Sequence, residues 1–199
     1  MIKRNDDPEK EFSEERRIVD IKNDAISVLN AFKKRNQKKL RKLNDLLMKI
    51  LVPHFSKQLF ELTVLSYILS KIVSKPRFLT SEYEERMRSI EEKFEVLIRE
   101  LDFKSEEEIS QRFEEINEAI RNLEKEDPRF VQDLISKGKL KVAATVYAQG
   151  ISLGVASSIT GMDKQDILGY AGKTMMFDRV KEEKSIHERL KVARQLIKK

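Results

Sequence analysis

The sequence predicts an all-α fold, a multi-helix bundle followed by a small C-terminal helical module. Four observations carry that prediction. Breakers are scarce, with six glycines and four prolines in 199 residues. Charged residues make up 37% of the chain and hydrophobic ones 40%, so there is material for both a solvated surface and a core. Glu, Lys, Arg, Leu and Ile dominate, and these side chains lose little freedom in a helix. Apolar residues also recur at spacings of three and four, while no segment alternates with period two for long enough to make a strand.

Taken in order, residues 1–12 are polar and aperiodic and read as a flexible arm. A first helix is expected from Ser13, with Ile18, Ile21, Ala25, Val28, Leu29 and Phe32 forming one apolar stripe. A second follows Asn36, carrying Leu40, Leu43, Leu46, Leu47, Ile50 and Leu51. Pro53 breaks it, because proline lacks a donor and crowds the preceding turn. The third is expected from about His54 to Lys75. It is apolar around more than half its circumference, which suits the centre of a bundle. Pro76 ends it.

Thr80 is expected to cap a fourth helix through Met87, Ile90, Phe94, Leu97 and Leu101. Ser105 with Glu108 is a capping box that starts a fifth. The two should form an antiparallel hairpin turning near residues 102–104. Asp127–Pro128 starts a short helix that Gly138 is expected to stop. The bundle therefore spans 13–138 and the module 139–199. In the module residues become smaller, and five of the six glycines lie between 150 and 172. A last amphipathic helix is expected from about Asp178.

The segment at 152–170 has the most specific pattern. Ser152 can cap a helix through Thr160, with Ala156 and Ile159 inward and Ser157 as a small contact. Gly161 permits a turn and Met162 plugs the corner. Asp163 caps a second helix, whose Ile167 and Tyr170 pack back. Residues 140–149 would support both. Over about 140–174 the chain resembles the helix-turn-helix of prokaryotic DNA-binding regulators, especially small archaeal and bacterial antitoxin-type proteins. Those proteins carry the pattern Ser-Leu-x-x-Ala-Ala-x-x-x-Gly-Met/Val-Ser/Asp, which Ser152 to Asp163 follow with Ser157 at the second Ala. The resemblance implies a second helix in the major groove of double-stranded DNA and a role in transcription regulation. It places Lys164, Gln165 and Leu168 toward bases and Lys173 near phosphate. Asp163 and Asp166 add negative charge beside that surface, and the segment has no arginine, the commonest reader of guanine. The competing reading is a compact three-helix packing unit in a scaffold or interaction protein, with the bundle serving a protein partner or a homodimer.

Other chemistry finds little support. Zero cysteines exclude disulfides, thiolate metal sites and cysteine nucleophiles. His54 and His187 stand in no H-x-x-x-H or E-x-x-H arrangement, so no metal is expected. Glu-rich runs such as 84–85 and 114–115 read as solvated helix faces. Gly172, Lys173 and Thr174 match the end of a phosphate-binding loop, but Ile167 stands where its first glycine belongs, and Gly172 reads instead as a helix cap. The expectation is a protein that is not an enzyme and takes no cofactor. No run reaches the roughly 18 apolar residues that span a bilayer, and no leader is visible, so a cytoplasmic protein is expected. The net charge of +6 mildly favours a nucleic-acid partner. Residues 33–42 are strongly basic and 81–126 acidic. The basic run could bind nucleic acid or pair with the acidic hairpin.

Overall fold

The structure is a computed structural model that describes residues 20–125 and 134–176. The arm at 1–12, the start at Ser13, the Asp127–Pro128 cap and the helix expected after Asp178 lie outside the described residues. Eight α-helices are described: α1 (Ile21–Lys33), α2 (Gln37–Leu51), α3 (Lys57–Val73), α4 (Glu84–Glu100), α5 (Glu106–Lys125), α6 (Leu134–Ala148), α7 (Leu153–Thr160) and α8 (Lys164–Lys173). Two 3-10 turns, Pro76–Leu79 and Ser81–Tyr83, link α3 to α4. The fold is all-α, with no strand among the described residues.

Local capping sets most boundaries. The side chains of Asp20, Asn36 and Ser56 accept from the backbone N–H three residues on, at the starts of α1, α2 and α3. Such caps satisfy donors that the first helical turn leaves free. Ser56 therefore places the start of α3 slightly later than the His54 expected. Ser105 and Glu108 form the reciprocal box. The Glu108 N–H donates to Ser105 Oγ at 3.3 Å, and the Ser105 N–H donates to Glu108 Oε2 at 3.0 Å. Thr80 differs from expectation. Its hydroxyl donates back to the Arg77 carbonyl at 2.7 Å and caps nothing, and a 3-10 turn precedes α4. Phe78 is fully buried and meets Tyr83 edge-on, with centroids 5.1 Å apart, so this corner is shaped by packing.

Helix α3 lies at the centre of the bundle, in contact with α1, α2, α5 and α6. Leu59, Leu62, Ile68, Leu69 and Ile72 are fully buried, and so are the polar Thr63 and Ser66. Helices α4 and α5 pack as the expected hairpin. Asn44, buried on α2, donates from Nδ2 to the Thr63 carbonyl and to Ser66 Oγ, both at 2.9 Å. It thereby ties α2 to α3 with matched polar groups, as buried amides require.

The stop expected at Gly138 is absent, because α6 runs through it to Ala148. Gly138 sits against α3, where a Cβ would lie 3.1 Å from Ile68 Cγ1 and 3.3 Å from Val64 Cγ1. The glycine serves close helix contact and not chain reversal. Helix α6 then joins two cores. Leu134, Ile135, Val142 and Val146 belong to the bundle, while Ala143, Ala144 and Ala148 pack with Ala156, Ile167, Ala171 and Met176. Among the described residues no helix is long and apolar enough to cross a membrane.

Candidate nucleic-acid interface

The second core is built from small side chains, which lets α6, α7 and α8 approach closely. Ser152 caps α7, accepting from the Val155 N–H. Ala156 is fully buried and Thr160 nearly so. The chain reverses at Gly161, whose φ of 69° lies in the left-handed region where a Cβ is disfavoured. Ser157 Oγ donates to the Met162 carbonyl at 2.7 Å and holds the turn across its own corner. Asp163 then accepts from the N–H groups of Gln165 and Asp166 and starts α8. The three-residue link from Thr160 to Lys164 is thus fixed at both ends by the residues expected to fix it.

On α8, Ile167 and Ala171 are fully buried against α6 and α7, and Tyr170 is half-buried. Lys164, Gln165, Leu168 and Lys173 are all exposed. Leu168 retains 43% of its surface, a high value for leucine in a short helix. A Cβ added at Gly169 or Gly172 would meet nothing within 4 Å, so among the described residues nothing covers α8 at these two positions. Gly172 is not the cap; α8 continues to Lys173 and Thr174 closes it. The face carries both signs of charge, with Lys164 and Lys173 offset by Asp163 and Asp166.

The basic run of 33–42 is divided by the fold. Lys33 pairs with Glu95, and Arg35 Nη1 reaches Glu91 Oε1 at 2.6 Å, so this part binds the acidic α4 as one reading expected. The Glu95 partner raises the Lys33 pKa, and Lys33 in turn lowers that of Glu95. Lys38, Arg41 and Lys42, a turn further along, stay exposed on α2. Among the described residues no carboxylate lies in ion-pair range of these three.

A group that sequence reasoning missed lies where α2, α3 and α6 meet. Lys141 Nζ sits 4.2 Å from the Tyr67 ring centroid, and Lys71 Nζ sits 5.3 Å from the same centroid. Burial lowers the Lys141 pKa, and Lys71 and Arg41 lower it further against the opposing effect of Asp45. Burial raises the pKa of the Tyr67 hydroxyl, with Tyr170 of α8 adding to it. Tyr67 and Lys71 are one helical turn apart, but Arg41, Lys141 and Tyr170 are far from them in the chain, so no local pattern could have gathered the group. His54, the described histidine, is exposed, and no trio of potential metal-ligating side chains occurs among the described residues.

Comparison with protein-family models, with curated proteins and with solved structures finds no match to this chain.

Proposed function

We propose that the protein binds double-stranded DNA through α6–α8, arranged as a helix-turn-helix with α8 as the helix that enters the major groove. Lys164, Gln165 and Leu168 face base edges, and Lys173 lies near the backbone. The observation that carries this reading is the two-sided character of α8. Ile167 and Ala171 anchor it, while the opposite face is open to a large partner. A helix of this kind needs rigid support behind it, and the tight Gly161–Asp163 link with the packed alanines of α6 supplies that support. Gln165 offers the amide that reads adenine bidentately, and Leu168 offers apolar contact to a thymine methyl. Regulation of transcription would follow from such binding. The bundle would then serve as a dimerisation or partner-sensing body.

A second reading is a helical interaction protein without a nucleic-acid role. Val155 of α7 and Met175 just after α8 are 50% and 65% exposed, and the charges of α8 balance with its Asp163 cap. Those features suit a protein partner or a second copy of the chain. Fluorescence anisotropy with labelled duplex DNA at 50 and 200 mM salt separates the two. DNA binding predicts retention at the lower salt that weakens at the higher, and loss of affinity on Lys164→Ala, Gln165→Ala and Lys173→Ala together. Absence of binding at the lower salt, or indifference to those substitutions, would leave the interaction reading, for which light scattering then reports self-association.

A further inference from the structure

Two ammonium groups on one tyrosine ring is an unbalanced arrangement. Lys71 lies one helical turn beyond Tyr67 on α3, and Lys141 approaches the same ring from α6. Arg41, exposed on α2, adds its positive charge to the field that lowers the Lys141 pKa. Among the described residues none of the three forms an ion pair, and Asp45 is the carboxylate that acts on Lys141. Elsewhere several partly buried cations of the bundle meet carboxylates. Arg112 holds Glu100 and Glu115, Arg35 holds Glu91, and Lys139 holds Glu61. Like charges gathered beside apolar surface repel one another, and an anion placed among them relieves that repulsion. The ring faces alone do not supply an anion; they hold cations by their quadrupole and leave the net charge uncancelled.

The position of this cluster matters for α8. Tyr170, on the flank of α8, lies close enough to Tyr67 to raise its pKa. Arg41 continues along α2 into the exposed Lys38 and Lys42. A positive face therefore runs from α2 across α3 and α6 to the edge of α8. Helix α8 with its Asp163 cap brings no net charge, whereas affinity for a duplex comes largely from neutralised phosphates.

We infer that Arg41, Lys71 and Lys141 form a phosphate site that holds the backbone of the same duplex whose bases α8 reads. This rests on the DNA-binding reading and assigns its electrostatic part to the bundle. Base contact and phosphate contact are then divided between the two cores joined by α6, consistent with the separate roles such contacts have in general.

The test is the salt dependence of duplex binding by the full chain, measured by fluorescence anisotropy between 50 and 200 mM KCl. Each phosphate contact contributes about 0.9 to the slope of log affinity against log salt. Lys71→Met with Lys141→Met should flatten that slope by about one to two. Lys57→Met with Lys93→Met removes equal charge elsewhere and should leave the slope nearly unchanged. Lys141→Arg keeps the charge and should bind as the unaltered protein does. Circular dichroism checks that the methionine pair remains helical; should it unfold, Lys71→Gln alone should still flatten the slope by about one. An unaltered slope in the Lys71 and Lys141 variants, or equal flattening by the remote pair, overturns the phosphate site while leaving α8 binding intact. No duplex binding by the unaltered chain at 50 mM overturns the DNA reading and the phosphate site together.

Discussion

Gly138 offers a direct check on how α6 joins the two cores. An alanine there has a favourable and an unfavourable consequence. Within a helix, Gly→Ala stabilises by about 1 kcal/mol through backbone entropy. The new Cβ, however, would lie 3.1 Å from Ile68 Cγ1 and 3.3 Å from Val64 Cγ1, both on the buried α3. Those neighbours must yield by a few tenths of an ångström, which offsets part or all of the gain. Valine adds two further carbons to the same seam and is a poorer helix former than alanine. Overpacking of this kind costs about 1–3 kcal/mol, so Gly138→Val should destabilise by roughly 2 kcal/mol. Gly169→Ala is the matched control, since its Cβ meets nothing within 4 Å and its backbone is equally helical. Urea unfolding followed by circular dichroism measures all three. The expected order of stability is Gly169→Ala above the unaltered chain, Gly138→Ala below Gly169→Ala, and Gly138→Val lowest. If Gly138→Val is as stable as the unaltered protein, or the two alanine variants gain equally, then close contact does not explain the glycine and the α3–α6 seam is wrongly placed.

Three further outcomes follow from particular contacts. Asn44→Ala removes both amide hydrogen bonds between α2 and α3, leaving the Thr63 carbonyl with the Ser66 hydroxyl as its side-chain donor, and should cost about 1–3 kcal/mol in urea unfolding. Gly161→Ala places a Cβ on a left-handed residue and should lower stability by about 1–2 kcal/mol, while Gly161→Asn, which tolerates that region, should lose less. Lys141→Met should raise stability at neutral pH in the absence of DNA. The lowered Lys141 pKa means that the folded state disfavours its charge below the folded pKa, and that this disadvantage fades as pH rises through it. A melting temperature lower in Lys141→Met than in the unaltered chain at pH 7 would contradict the account of that cluster.

Much of the fold was legible because helix boundaries are written locally. Asn36, Ser105 with Glu108, Ser152 and Asp163 each meet a partner two or three residues on, so the sequence holds both members of every bond. The exposed positions of Lys164, Gln165, Leu168 and Lys173 came from the helix-turn-helix resemblance; of the two residues read as packing back, Ile167 is fully buried and Tyr170 half-buried, and Ala171 joins them on the inner face. Thr80 and Gly138 went otherwise because their local signals were overruled from a distance. Phe78 and Tyr83 pack the corner before α4, and Val64 and Ile68 require a residue without a side chain on α6.

The sequence by itself therefore determined an all-α chain, the order of its helices and the inward Ile167 of α8, since each depends on residues within about two turns of one another. Only tertiary structure decided that α6 serves two cores, that the basic run splits between Glu91 and Glu95 on one side and solvent on the other, and that Lys141 joins Lys71 on the Tyr67 ring. Those outcomes depend on which helices pack together. Periodicity gives each helix a face to bury but does not name the neighbour that buries it.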